Sequence, residues 1–430
     1  MPSTAPQEVR RRFKPLALAK SSNIPLLGRT NLIARLQSAA AKAAPLAAAA
    51  PSARFPLLAA FENGNLWPWI WNYLKTSFAG KHKPYPTYPS DGTSGVYPLH
   101  ASDDGNVIKV AIVGDWGTGT YESWKVAQSM AGFAPDYTIH LGDVYYVGDQ
   151  QEVNENFLGT PGGQYTPVEF PKGSVGTFAL IGNHEMYGGG GPYFSSILAY
   201  CNTGTGQEQQ AGFFCLETPQ WRIIGIDTGY NSVGTFILGS IPIIKQIPWF
   251  GANCSLQDEL LAWLKVNVNP QQNKKPTMLL SHHQYFSAYS DEAFGEPAKQ
   301  LKDFFAGQEV IWIWGHEHRL SIYSQFSPDG NIFCYGRCLG QGGMPVEKGT
   351  GYNAGKAPVM FFDPRYDYPV GDNTNAGYNG FVNLTMDGAT LTLDYRDLDN
   401  TQLFLETFVG SPDGSLQYSF ANPVPILQPA

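Results

Sequence analysis

Five short polar groups carry side chains that suit metal ions. They are Gly114-Asp115-Trp116-Gly117, Gly142-Asp143-Val144-Tyr145-Tyr146, Gly182-Asn183-His184-Glu185, Ser281-His282-His283 and Gly315-His316-Glu317-His318. Asp, Asn, His and Tyr together supply oxygen and imidazole donors for hard-to-borderline cations. Five of the eight histidines lie in these groups. His316 and His318 alternate, so a straight strand would point them to opposite faces; at a strand end that turns they can reach two adjacent ions. Glycines at the heads of the groups permit close backbone approach and sharp turning. One such group alone reads as a turn. Five of them, each placed after an apolar run, point to a metal site.

Those runs are 107–113, 137–141, 177–181, 277–280 and 309–314, with a sixth at 221–226. Each is short, apolar and rich in β-branched residues, the pattern of a buried strand. Helices are expected at 122–131 and 255–266. In the second, Ser255 would be the N-cap, Asp258 would occupy a capping-box position, and Leu256, Leu260, Trp263 and Leu264 share one face. Alternating strands and helices argue for an α/β layer fold. Such sheets gather ligands at the carboxyl ends of their strands, where all five groups stand. The tail is different. Val382, Leu384 and Met386 alternate up to Asp387-Gly388, and Leu391, Leu393 and Tyr395 alternate after it, which predicts a hairpin. A third strand is expected at 402–408.

The set GDWG, GDVYY, GNHE, LLSHH and GHEH resembles the calcineurin-like metallophosphoesterase superfamily and, within it, the purple acid phosphatases. The broad superfamily has Asp-x-His in its first motif; here Asp115-Trp116-Gly117 lacks that histidine, and the purple type supplies a tyrosine instead, at Tyr146. Tyr145 competes for that role, though spacing favours Tyr146. Ile226-Asp227-Thr228, the stretch from Gln257 to Leu264, and Gly340-Gln341-Gly342-Gly343 extend the likeness, which covers roughly 105–345. The resemblance implies a four-layer α/β/β/α sandwich of two mixed sheets, with an N-terminal arm and a β-rich C-terminal tail. It implies two ions bridged by Asp143. The first would take Asp115, Tyr146 and His318, and the second Asn183, His282 and His316. Iron(III) is implied at the first site and a divalent ion (zinc, iron or manganese) at the second. His184 would contact the phosphate beside Asn183 and protonate the leaving oxygen. The implied reaction is hydrolysis of a small-molecule phosphomonoester by in-line attack of a metal-bound hydroxide. Phosphodiester hydrolysis on the same ions is the alternative, and a non-catalytic metal- or partner-binding protein a remote one. Many purple acid phosphatases place further histidines about ten residues past the metal histidine. Here the segment from Ser287 to Glu292 is acidic, so that substrate role does not carry over.

Composition bounds the rest. The chain has 430 residues and a net charge of −8, which disfavours nucleic acid as the main partner. No apolar run approaches the roughly 20 residues of a membrane span. Arg10-Arg11-Arg12-Phe13 resembles a twin-arginine start without an apolar segment behind it, so the cytoplasm is favoured over export. Five cysteines and no CxxC pair read as free or buried thiols, with a Cys201–Cys215 bridge open if the protein is exported. Residues 1–104 read as an arm and linker, with a short helix at 31–42 and tryptophans at Trp67, Trp69 and Trp71, and 105–430 as the catalytic domain with its extension. The apolar insert 233–250 is expected to pack on the arm.

Overall fold

The computed structural model describes residues 84–103, 105–161, 167–204, 208–233, 253–344, 346, 352–365 and 377–421. The expected helix at 31–42, the tryptophans of the arm and nearly all of the insert 233–250 lie outside the described residues. The strands are β1 (Val96–Pro98), β2 (Val107–Val113), β3 (Tyr137–His140), β4 (Gly176–Ala179), β5 (Phe214–Glu217), β6 (Arg222–Gly225), β7 (Thr277–Ser281), β8 (Val310–Trp314), β9 (Leu320–Phe326), β10 (Cys334–Leu339), β11 (Val359–Phe362), β12 (Gly380–Asp387), β13 (Thr390–Asp397), β14 (Gln402–Gly410) and β15 (Leu416–Phe420). They form two sheets, ordered β1-β5-β6-β7-β8-β10-β9-β11 and β15-β14-β13-β12-β2-β3-β4. Both are mixed. β2, β3 and β4 run parallel and β12 closes on β2 antiparallel; β6, β7, β8 and β10 run parallel, flanked by antiparallel β5 and β9. The helices are α1 (Tyr121–Gly132), α2 (Gln150–Asn156), α3 (Asn183–Tyr187), α4 (Leu198–Asn202), α5 (Asp258–Trp263) and α6 (Gly295–Leu301).

The period-two alternation of side chains explains the layers. Ile108, Val110 and Ile112 of β2 point into one buried cluster, together with Met278 and Leu280 of β7, Ile311 and Ile313 of β8, and Val382 and Leu384 of β12. That cluster is the seam between the two sheets. The intervening Ala111 and Val113 face outward onto Val126, Ala127 and Met130 of α1. Likewise Leu279 and Trp312 face Leu260 and Trp263 of α5 and Ala298 and Leu301 of α6. Strands covered on both faces are apolar over most of their length, with Lys109 of β2 an exception. The result is the four-layer α/β/β/α arrangement. Truncating a seam residue such as Ile112 to alanine costs about 2–5 kcal/mol.

Three details differ from the sequence reading. The helix expected from Ser255 starts at Asp258, with Gln257 as its N-cap. Its first residues are held by tertiary bonds instead: Asn231 Nδ2 donates to Ser255 Oγ, and Leu256 N–H donates to Gln300 Oε1. The linker contributes β1, which pairs with β5, while Tyr85 and Tyr88 donate to Asp227 and to the Phe213 carbonyl. The tail hairpin does not stand apart: β12 extends the sheet that carries the first three motifs, and a fourth tail strand, β15, follows. All five cysteines are buried, and Cys201, Cys215, Cys334 and Cys338 are free thiols. No helix among the described residues is long and apolar enough to cross a membrane.

Candidate metal centre

The five polar groups leave the strands at the carboxyl ends of β2, β3, β4, β7 and β8. Asp115, Asp143 and His316 each sit in the left-handed region, with φ of 57°, 75° and 67°. Non-glycine residues seldom adopt it, and such conformations gather where surrounding structure forces them. Here the turn immediately past the strand aims each side chain at its neighbours. Two glycines are required by close approach. A Cβ on Gly142 would lie 2.9 Å from His282 Nδ1, and one on Gly182 would lie 2.1 Å from Asp143 Oδ1.

Asp143 sits at the middle of the cluster. Its Oδ1 accepts the His184 backbone N–H at 3.0 Å, and its Oδ2 lies 3.2 Å from His282 Nε2 and 3.8 Å from His184 Nε2. Asp115 Oδ2 accepts the His316 backbone N–H at 2.8 Å, while its Oδ1 lies 3.6 Å from His318 Nε2. Asn183 Oδ1 stands 3.1 Å from His282 Nε2. His282 Nδ1 faces the Leu141 carbonyl at 3.0 Å, so the proton belongs there and Nε2 is the atom turned to the acids. Asp115, Asp143 and His282 bring one donor atom each within 4.8 Å of one another, and His282, His283 and His316 do the same. Among the residues expected from sequence, Asp115, Asp143, Asn183, His184, His282, His316 and His318 are therefore gathered at one edge. Anionic oxygens and imidazole nitrogens converging in this way fit cations.

The two tyrosines make different contacts. Tyr145 puts its hydroxyl 2.8 Å from Asp115 Oδ1, 3.2 Å from Asp143 Oδ2 and 3.2 Å from His318 Nε2. Tyr146 bonds through its backbone. Its N–H donates to Glu152 and its carbonyl accepts from His184 Nδ1 at 2.6 Å, while its ring packs with Tyr145 and Met344.

The buried charges of the cluster shift one another. Burial pushes the Asp115 carboxyl up to about 7, a rise that the neighbouring Asp143 charge adds to and the His282 ring opposes. Burial also acts to raise Asp143, but the His282 and His184 rings outweigh it and hold that carboxyl well below its ordinary value. Burial disfavours charge on His282, yet the Asp143 carboxylate prevails and lifts it to about 9. Burial drops His318 to about 3 and lowers His184. Burial and the two carboxylates keep the proton on Tyr145.

Two buried acids hold the loops and were not singled out from the sequence. Glu185 accepts backbone N–H groups from Gly182, Asp143 and Val144 at 2.9, 3.2 and 2.8 Å, tying the second and third motifs together. Glu152 accepts those of Tyr146, Val147 and Asp149. The readable signal was the capping spacing, an acid three residues after Gly182 and after Asp149. The glycine run after the last motif supports the first: Gly342 N–H donates to the Gly114 carbonyl and Met344 N–H to that of Asp115. His140 is a core residue, packed edge-on against Trp116, Phe157 and Phe170, and burial lowers it to about 3.

Residues 108–320 match the family described as calcineurin-like phosphoesterase. This stretch resembles a calcineurin-like phosphoesterase domain. That match begins inside β2 and ends as β9 opens, so it encloses all five polar groups. Among solved structures the domain is similar to GAP50, described as the anchor in the inner membrane complex of Plasmodium, at 14% identity over 70% of this chain and 87% of that one, with a TM-score of 0.44. It is also similar to PhoD, at 11% identity over 75% and 72% with a TM-score of 0.46, and to Vps29 of Entamoeba histolytica, at 11% identity over 73% and 98% with a TM-score of 0.22. No curated protein matches the chain. The family match supports a hydrolase in general terms, and the described residues include side chains that could hold a metal ion.

Proposed function

We propose that the protein is a two-metal phosphomonoesterase whose catalytic unit spans 105–430, preceded by an arm and linker at 1–104. The observation that carries this reading is the meeting of Asp115, Asp143 and His282 with Asn183, His184, His316 and His318 at one strand edge. Asp143 is read as the shared ligand. Asp115 and His318 are read as holding the first ion, and Asn183, His282 and His316 the second. For the phenol at the first ion, the hydroxyl contacts favour Tyr145 over Tyr146. Two carboxylates and a phenol suit a hard ion such as iron(III), and two imidazoles with an amide suit divalent zinc, iron or manganese. When bound, the two cations would neutralise the phosphoryl oxygens and activate a water for in-line attack.

The chain's own residues do the rest. His184 donates from Nδ1 to the Tyr146 carbonyl, so Nε2 faces the site near Asp143. A proton held at Nε2 is in position to pass to a leaving alcohol. Its side chain is 20% exposed, enough to be reached by substrate. Asn183 Nδ2 donates to the Tyr187 hydroxyl at 3.0 Å, which fixes the amide so that its oxygen faces His282. Cys201 and Cys215 stand as free buried thiols, which fits a reducing compartment and supports the cytoplasm.

The test joins metal analysis, a visible spectrum and turnover of p-nitrophenyl phosphate against its bis ester. We expect two ions per chain, preference for the monoester, and a tyrosinate–iron(III) band lost in Tyr145→Phe and kept in Tyr146→Phe. Preference for the bis ester would move the assignment to a diesterase. A colourless, iron-free but active protein would remove iron and leave the hydrolase standing. Absence of turnover with both ions loaded would overturn the enzymatic reading.

A further inference from the structure

One segment of chain, the loop that follows β7, packs against the His316 ring. The ring lies 4.6 Å from that of His283 and 6.1 Å from that of Phe294, centroid to centroid. Its Nε2 stands 3.5 Å from Glu292 Oε2, with the two side chains 16% and 24% exposed. The loop that brings Glu292 there is firmly tied. Gln284 Nε2 donates to the Glu292 carbonyl at 3.0 Å, and Ser290 Oγ accepts the Glu292 N–H at 3.2 Å. Ser287 Oγ donates to Glu317 Oε1 at 2.5 Å, which fastens the same loop to the residue after His316. Lys356 donates to Asp291 and to the Ser290 carbonyl from outside.

Three neighbouring imidazoles meet an oxygen at Nδ1. His282 uses the Leu141 carbonyl, His184 the Tyr146 carbonyl and His283 the Thr228 hydroxyl. His316 is set the other way round, with its oxygen partner at Nε2. A ligating histidine commonly gives its second ring N–H to a carboxylate or carbonyl, which fixes both tautomer and orientation. We propose that Glu292 is the positioning residue of His316: its carboxylate holds the proton on Nε2 and so turns the lone pair of Nδ1 toward the second ion. This inference rests on the two-ion reading above. It also gives a role to the acidic segment 287–292. The carboxylate serves a ligand of the ion.

The test uses the full chain, stripped of metal and titrated with Co²⁺ alone, followed by visible spectroscopy and by competition with a chromophoric chelator. The variants are Glu292→Ala and Glu292→Gln; the amide keeps an oxygen acceptor. We expect the wild-type chain to take up two Co²⁺. Glu292→Ala should bind one of them about 10–100-fold more weakly with a changed d–d spectrum, the other being unaffected. Glu292→Gln should recover most of that loss, at an unchanged melting temperature. Titration of Glu292→Ala identical to wild type overturns the inference and leaves the two-ion reading intact. Equal loss in both variants, or loss of both ions together with a lowered melting temperature, overturns it as well, since charge or loop folding would then be the cause. A wild-type chain that takes up no second ion overturns the two-ion reading and this inference together.

Discussion

Two of the buried charge clusters among the described residues are built on opposite principles. Between the sheets, Arg337 of β10 meets Glu406 of β14. Arg337 Nε and Nη2 donate to the two carboxylate oxygens at 2.7 and 2.6 Å, and Nη1 donates to the Tyr323 and Gly336 carbonyls. Tyr395 donates to the same carboxylate at 2.7 Å. Burial would weaken the guanidinium's hold on its proton, but the Glu406 carboxylate reverses that and raises it. Each charge has its opposite in bidentate contact, the geometry in which a buried pair is tolerated. At the strand edge, two carboxylates, an amide oxygen and several imidazole lone pairs face one another instead. No arginine or lysine enters the contacts given above for Asp115 and Asp143. A buried cluster that completes itself ties two sheets together. One that accumulates acceptors is shaped for a cation it does not itself contain.

Removing the central acceptor should separate the two principles most sharply. Asp143→Asn takes away the proposed bridging ligand, and we expect hydrolysis to fall about a thousand-fold or more. Metal-free, the variant should melt slightly below the wild type, since the His282 ring loses the carboxylate that favours its charge. Added metal should stabilise the wild type by about 3 kcal/mol at a hundred times the dissociation constant and leave the variant nearly unmoved. Thermal melts with and without metal check both statements. A large fall in stability without metal would mean that Asp143 is structural, as Glu406 is.

The core pair should answer in the opposite way. Glu406→Leu leaves the Arg337 guanidinium buried without its partner, and urea unfolding should show a loss of about 3–5 kcal/mol. Turnover per folded, metal-loaded molecule should stay the same. Adding Arg337→Met to that variant should recover much of the loss, since an apolar pair of similar volume replaces a buried ion pair at little cost. If the double variant is no better than the single one, the pair is more than self-compensating.

What the sequence made legible follows the same division. Asp115, Asp143, His282 and His316 could be found because each stands one or two residues past an apolar run that can only be a buried strand. The hairpin at Asp387-Gly388 was legible from alternation, and Gly388 takes a φ of +55° in the turn. The partnership of β12 with β2 was not. It pairs residues some 270 positions apart (Val382 with Ile112, for example), and local pattern carries no information on that. The choice between Tyr145 and Tyr146 was equally hidden. A one-residue difference turns a side chain to the other side of the backbone, and motif spacing cannot report which one faces in. Glu406 reads as one more polar position on an alternating strand; its burial appears only when β10 is laid across it.

Glu185 is the residue where the two principles touch. It is fully buried like Glu406, yet its partners are the N–H groups of Gly182, Asp143 and Val144, so it holds the backbone that aims the acceptors. In Glu185→Gln one of the two acceptor oxygens becomes an amide that donates, and it meets N–H groups that also donate. We expect a milder loss than in the earlier variants, about 10–100-fold in metal affinity, or roughly 1.4–2.8 kcal/mol. Co²⁺ titration would measure it, and urea unfolding of the metal-free chain would show how much of the cost falls on the fold. If the cost falls on the fold alone and metal affinity is kept, Glu185 belongs with Arg337 and Glu406. If it falls on affinity, the self-completing contacts around this acid are what keep the incomplete cluster open for its ions.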